Sequence, residues 1–294
     1  MRVLITGTST GIGLATALEL GRAGHDVIAT MRNPKRAPEL GETAEREHLP
    51  ISVMTMDVDS DDSVNTVMRD VQAQGPLDVL INSAGIERTG SIEELPMEAF
   101  RSVMETNYFG TLRCVQAVVP HMRRRRSGCV LTVSSVAGRI ACSPMAPYTA
   151  SKWALEALHE VLAQELRPFR VRVAIVQPGI IDTPMARRIE HCEGASPYPQ
   201  VHRMPGLFHA SLDAPRPPSI IAQKIREIVE SDTGKLRYAA GPDAEPFLAW
   251  RASLSDEAWV EWGALEDDAW YARVEQEFGL DARPPKAKAT AAED

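Results

Sequence analysis

Tyr148 and Lys152 form a Tyr-x-x-x-Lys pair at the start of a stretch whose apolar spacing predicts a helix. Residues four apart share one helical face, one turn apart. A phenol with a pKa near 10 is a poor acid at neutral pH. A neighbouring ammonium favours the phenolate and brings that pKa down. The pair alone is a common surface pattern, and its setting gives it weight. Ser134-Ser135 closes a strand-like run, with Ser135 thirteen positions before Tyr148. A serine hydroxyl at a strand's carboxyl end can hydrogen-bond a substrate oxygen as charge builds on it. Together these groups suit proton transfer to and from an oxygen.

A second chemical signal lies near the N-terminus. Thr6-Gly7-Thr8-Ser9-Thr10-Gly11-Ile12-Gly13 joins a short apolar run to an amphipathic one. Glycines let backbone approach a ligand with no Cβ in the way. The helix that follows offers unpaired N–H groups and a positive dipole end to a pyrophosphate. The spacing is G-x-x-x-G-x-G, not the G-x-G-x-x-G of the common dinucleotide fingerprint.

These groups need a scaffold, and the hydrophobic pattern supplies one. Continuous apolar runs at Val3–Ile5, Val27–Thr30, Ile51–Met56, Val79–Ile81, Cys129–Val133 and Val171–Val176, with a weaker one at Leu236–Ala239, read as strands buried on both faces. Helical patterns fall between them: after Gly11, at Asp61–Val71, at Met97–Met122 with a break expected near Gly110, at Ala154–Leu166 and at Ile220–Val229. Such alternation predicts an α/β fold: a Rossmann-like, doubly wound, mostly parallel seven-stranded sheet with helices on both faces. Residues 1–240 are expected to form the dinucleotide-binding catalytic domain. The stretch 186–218, rich in Pro, His and Gly, reads as a long loop or small helical lid. Residues 241–294 read as a small helical C-terminal extension in which Trp259, Trp262 and Trp270 serve packing, ending in a disordered tail from Pro284. The extension either caps the site or extends an interface.

The motifs taken together resemble the short-chain dehydrogenase/reductase family, over about residues 1–240. The resemblance implies a nicotinamide cofactor and a hydride moved between it and a carbonyl or secondary alcohol carbon, with Tyr148 as general acid/base. It also implies that Lys152 holds the nicotinamide ribose. The thirteen-residue spacing favours Ser135 over Ser134 as the catalytic serine. Asn107 would distort its helix and support a water linking Lys152 to solvent. Asp57-Val58 would contact the adenine, and Asn82-Ser83-Ala84-Gly85 would pack beside it, with Ser83 where the family usually has Asn. Pro178-Gly179 would flank the nicotinamide, while the Ile181 backbone and the Thr183 hydroxyl hold its carboxamide. The second strand ends Thr30-Met31-Arg32-Asn33 with no acid for a ribose 2′-hydroxyl. Arg32 presents a planar, permanently charged fork to a 2′-phosphate, so NADP(H) is expected over NAD(H). A non-catalytic nucleotide sensor on the same fold would be expected to lack the tyrosine or lysine. A homodimer or homotetramer through Met97–Met122 and Ala154–Leu166 is implied.

The bulk composition bounds the partners. A formal net charge of -8 argues against nucleic acid as a partner. Arg123–Arg126 is taken as a helix end, where cations suit the dipole. No apolar run reaches the roughly 20 residues that span a bilayer, so no membrane is expected. Four cysteines, Cys114, Cys129, Cys142 and Cys192, show no C-x-x-C pair and suggest free thiols in the cytoplasm. His191, Cys192, His202 and His209 have no zinc-ligand spacing, and no metal is expected. Met185, Tyr198, Met204, Leu207 and Phe208 make the lid apolar. That suits a bulky hydrophobic small-molecule substrate, or equally a lid packed on its own core.

Overall fold

A computed structural model of the chain describes residues 1–189 and 196–283. His191, Cys192 and the tail from Pro284 lie outside the described residues. The elements run β1 (Arg2–Thr6), α1 (Gly11–Arg22), β2 (Asp26–Met31), α2 (Glu39–Arg46), β3 (Ile51–Thr55), α3 (Asp61–Ala73), β4 (Val79–Asn82), α4 (Met97–Met104) and α5 (Gly110–Arg125). Then follow β5 (Gly128–Val133), α6 (Ala146–Leu166), β6 (Val171–Pro178), α7 (Pro184–Ile189), α8 (Gln200–Leu212), α9 (Ser219–Glu230) and β7 (Arg237–Ala240). Three helices close the described chain: α10 (Ala244–Ala252), α11 (Asp256–Ala264) and α12 (Asp267–Phe278).

The seven strands pair in the order β3-β2-β1-β4-β5-β6-β7, every neighbour parallel. Side chains alternate across a strand. Val3 and Ile5 of β1 therefore enter one core with Leu20 of α1 and Ile221 and Ile225 of α9. Leu4 enters the other, with Met68 of α3, Val115 of α5 and Leu162 of α6. Each face has its own apolar layer, which is why the strands read as unbroken apolar runs. The strand order reverses between β1 and β4, and such a switch point opens a crevice at the carboxyl ends of the strands.

Helix boundaries follow local chemistry. α6 begins at Ala146 with Pro147 in its first turn, eight residues before the apolar periodicity starts at Ala154, so Tyr148 is already helical. The break expected near Gly110 is a π-helical turn over Glu105–Phe109 between α4 and α5. The stretch expected as a loop or helical lid forms α7 and α8 over its described residues. α2 has no counterpart in the sequence reading: Glu39-Leu-Gly-Glu-Thr-Ala-Glu-Arg46 buries only Leu40, Thr43 and Ala44. At the end of α5, Arg125 donates to the Leu77 carbonyl and Arg126 to that of Pro168, so the basic run is docked on neighbouring loops. No helix among the described residues is long and apolar enough to cross a membrane.

One buried polar chain ties β4, β5 and α6 together beneath the site. The Asn82 amide donates to the Thr132 hydroxyl at 3.1 Å, and Thr132 lies 2.6 Å from His159 Nε2. His159 Nδ1 donates to the Leu155 carbonyl at 2.8 Å, which leaves Nε2 as the acceptor of the Thr132 proton. The ring is fully buried, and burial brings its pKa from 6.5 down to about 4. Below about 6.5 the unfolded chain binds a proton that the folded chain refuses until about 4, so acid erodes stability across that window. Urea unfolding between these pH values should show wild-type stability falling by about 1 kcal/mol per unit more steeply than that of His159→Gln. Parallel slopes for the two proteins would mean that the ring is charged in the folded state.

Candidate active site

At the carboxyl edge of the sheet lies a cavity of about 1150 Å³. Its floor is the turn between β1 and α1. Gly7 and Gly11 take positive φ, 71° and 58°. A Cβ on Gly7 would run into the Ala84 backbone, and one on Gly13 into the Gly7 carbonyl. The first turn of α1 thus sits directly on the loop. Ser9, Thr10, Gly11, Ile12 and Gly13 line the cavity, and the Thr10 side chain makes no capping bond at the helix N-terminus. Thr8 is turned inward, its hydroxyl donating to the Thr30 carbonyl, and holds the loop to β2. The Thr6 hydroxyl accepts from the N–H groups of Ser83 and Ala84, which fixes the β4 turn beside the glycines.

Arg32, Asp57, Val58, Ala84 and Gly85 line the same space. The Arg32 guanidinium is exposed and makes no hydrogen bond or ion pair among the described residues. Arg36 joins it on the wall, a second cation that sequence reasoning passed over because it sits in an irregular turn. Asp59 stands nearby; burial raises its pKa despite a hydrogen bond from Thr106 and the charge of Arg32. Asn82 is not on the wall. Its side chain points into the sheet toward Thr132, so the expectation that it packs beside an adenine gives way to a structural role.

At the other end, β5 and α6 bring Ser135, Tyr148 and Lys152 onto the wall. Ser135 starts a single helical turn and accepts from the Ala137 N–H. Ser134 is buried and its hydroxyl has no partner, whereas Ser135 is hydrogen-bonded to Tyr148. Both serines line the cavity, and among the described residues Ser135 is the one bonded to Tyr148. Asn107 lies off the cavity, fully buried in the π-helical turn. Its amide oxygen accepts from the Ile86 N–H, and its amide nitrogen donates to the Ile86 carbonyl and the Ser151 hydroxyl. Ser151 in turn donates to the Tyr148 carbonyl at 2.7 Å, so Asn107 positions the turn that carries the tyrosine.

The electrostatics correct one expectation. Burial dominates the Tyr148 phenol and pushes its pKa up to about 12, against a smaller lowering by the Ser135 hydrogen bond. Lys152 does not offset this. Its Nζ sits 5.4 Å from the centre of the Tyr148 ring and donates to the Val133 carbonyl at 2.9 Å. Burial also brings the Lys152 pKa down to about 8, opposed by the charge of Glu156. Glu156 is buried one turn further along α6. It accepts from Gln177 of β6 at 3.0 Å and from Arg237 of β7 at 2.8 Å. No sequence signal marked it, because an acid in a helix is ordinarily solvated.

Pro178, Gly179, Ile181 and Thr183 extend the wall beyond β6. Gly179 has a specific reason to be glycine: a Cβ there would strike the Asp243 carboxylate. Asp243 accepts from the Ile180 N–H at 2.7 Å, and burial raises its pKa. A residue beside the first helix of the extension thus clamps the turn after β6. The extension contributes more than packing. Phe247, Trp250, Trp259, Trp262, Trp270 and Phe278 all line the cavity, so the view of the tryptophans as packing alone is corrected.

Residues 1–194 match the short chain dehydrogenase family. The chain belongs to the short-chain dehydrogenase/reductase family. Over 265 residues it is 34% identical to a retinol dehydrogenase 8 of Bos taurus, spanning 85% of this chain and 84% of that one. A short-chain dehydrogenase from Streptomyces avermitilis of known structure is 32% identical, with a TM-score of 0.75 over 90% of this chain and 96% of that one. An actinorhodin polyketide ketoreductase solved with NADPH is 25% identical, with a TM-score of 0.70 over 82% of this chain and 96% of that one. An uncharacterized oxidoreductase, YusZ of Bacillus subtilis, is 37% identical over 182 residues, 61% of this chain, and the match spans 65% of its own length. Membership of this dehydrogenase/reductase family makes the chain an oxidoreductase, and the family's nicotinamide cofactor fits a cleft walled by the glycine turn and the uncapped N-terminus of α1.

Proposed function

We propose that this oxidoreductase is NADP(H)-dependent and interconverts a carbonyl and an alcohol, with Tyr148 as the general acid/base. The observation that carries the reading is the convergence of Ser135, Tyr148 and Lys152 at one end of a cavity whose other end presents Arg32 and Arg36. The nicotinamide supplies or accepts the hydride. The chain's own groups do the rest. The glycine turn and the N-terminus of α1 hold the pyrophosphate. Arg32, with Arg36 beside it, takes a 2′-phosphate through charge-assisted hydrogen bonds. Asp57, Val58, Ala84 and Gly85 border the adenosine end. Pro178, Gly179, Ile181 and Thr183 border the nicotinamide end, and Lys152 holds the adjoining ribose. Ser135 and Tyr148 hydrogen-bond the substrate oxygen, and Tyr148 donates its proton during reduction or removes one during oxidation.

A phenol pushed up to about 12 is protonated at neutral pH but a weaker acid than a free tyrosine, so it would give its proton only to the strongly basic alkoxide oxygen that forms as hydride reaches the carbonyl carbon. The cationic Lys152 and an oxidised nicotinamide are the charges that would bring it down for the reverse reaction. The NADPH named with the ketoreductase structure, and the alcohol named with the bovine relative, support this chemistry. Exposed Phe109, Trp153 and Val161, on the π-helical turn and α6, support a homodimer or homotetramer through these helices. Free Cys114, Cys129 and Cys142 support a reducing, cytoplasmic setting.

Tyr148→Phe should retain NADPH affinity within about twofold and lose turnover by about 10²–10⁴-fold, read by fluorescence titration and by NADPH consumption with an aldehyde. Turnover within tenfold of wild type would remove Tyr148 from the proton transfer. Arg32→Asp should weaken NADPH binding by about 10–100-fold while leaving NADH binding nearly constant. An unchanged NADPH/NADH ratio would place the phosphate elsewhere.

A further inference from the structure

The cavity does not end at Tyr148. Tyr148 packs in an apolar cluster with Cys142, Met145, Met204, Leu207 and Phe208. Leu207 of α8 also belongs to a second cluster, built around Trp270, Tyr271 and Val274 of α12 and including Trp262 and Phe278. A continuous apolar surface therefore runs from the proton donor into the C-terminal extension. There Phe247, Trp250, Trp259, Trp262, Trp270 and Phe278 wall the cavity, and most keep part of their surface uncovered. Rings that packed only on each other would close the space. Instead they wall one part of a cavity of about 1150 Å³ whose remainder is the glycine-turn cleft.

The chemistry of this wall is specific. The Trp259 N–H is spent on the Ala141 carbonyl at 2.9 Å, and the Trp262 N–H on the Glu277 carboxylate at 3.1 Å. Arg251 lies over the Trp259 ring at 5.3 Å and Arg203 over the Trp270 ring at 5.7 Å. Arg203 is itself spent on Asp267 and on the Gly263 and Leu265 carbonyls. Ring faces already paired with guanidinium groups are poor hosts for a cationic ligand. Among the described residues, no charged side chain of the extension lines the cavity. The Trp259–Ala141 bond fastens α11 to the segment seven residues before Tyr148, so the chamber and the proton donor are held in register.

We propose that this aromatic chamber receives the neutral, apolar body of the substrate, an extended chain or fused-ring skeleton, while its reacting carbon lies against Tyr148. This rests on the reaction assigned above and adds to it the site and chemical class of the non-reacting part.

Binding and turnover are measured separately on the full chain. Calorimetry with straight-chain alcohols from butanol to decanol should show saturable one-to-one binding, tightening by about two- to fourfold per methylene. Catalytic efficiency with the matching aldehydes and NADPH should rise in parallel. Trp262→Ala should flatten both series. Because that ring stacks inside the cluster, Leu207→Gln provides a second variant. It should weaken decanol binding at least tenfold and leave butanol nearly unchanged, with NADPH affinity retained in both variants. Affinity flat from butanol to decanol, or a slope that both variants preserve, would overturn the chamber as the substrate site even if butanal is reduced. A rising alcohol series without turnover of any aldehyde would instead overturn the assigned reaction.

Discussion

The bond from the Lys152 ammonium to the Val133 carbonyl joins the two parts on which the site depends. Val133 ends β5, and Ser135 lies two residues beyond it. Lys152 is one turn along α6 from Tyr148. A single charge-assisted bond therefore sets the strand end against the helix start, and with it the hydroxyl pair proposed to meet the substrate oxygen. The bond forms where water is scarce, and both titratable partners feel it: the phenol is driven up and the ammonium down. Glu156, held by Gln177 and Arg237, is the counter-charge that keeps the lysine from falling further. The sheet supplies this rigidity, since β5, β6 and β7 present Val133, Gln177 and Arg237 to α6 from adjacent parallel strands.

Much of this was legible because the fold writes itself in periodicity. Strands covered on both faces must be apolar at every position, and all seven were marked by that alone, including the weak β7. The glycine turn was legible because Gly7 and Gly13 have no substitute at those backbone contacts. α2 was not, because it lies half in solvent and buries only three side chains. The start of α6 was legible from the Tyr148–Lys152 pair, although the strongly apolar stripe begins only at Ala154. Asn82 was misplaced because an asparagine at a strand end can turn outward to a ligand or inward to Thr132, and only the position of His159 decides. The expected lowering of the Tyr148 pKa overlooked desolvation, which acts on both Tyr148 and Lys152 and is the largest cause for each.

The proposed substrate wall is built by helices that follow the matched family frame. The family match covers residues 1–194, and the aromatic helices lie beyond it. Two contacts anchor them to the rest of the fold: Asp243 to the Ile180 N–H behind Gly179, and Trp259 to the Ala141 carbonyl ahead of α6. Each ties the extension to a segment next to the residues proposed to react. The tryptophans were visible in the sequence, yet spacing could not say whether their rings met each other or a ligand. That distinction depends on α8, whose Leu207 bridges the two apolar clusters.

The central claim is that Tyr148 holds its proton by burial and gives it up under the influence of nearby positive charge. Ultraviolet difference titration of the wild type against Tyr148→Phe, with and without NADP⁺, isolates this phenol. The account predicts ionisation above the ordinary tyrosine range in the free protein and a pKa lower by about 1–3 units with the nucleotide bound. The same pKa in both states, or an ordinary value in the free protein, would contradict it.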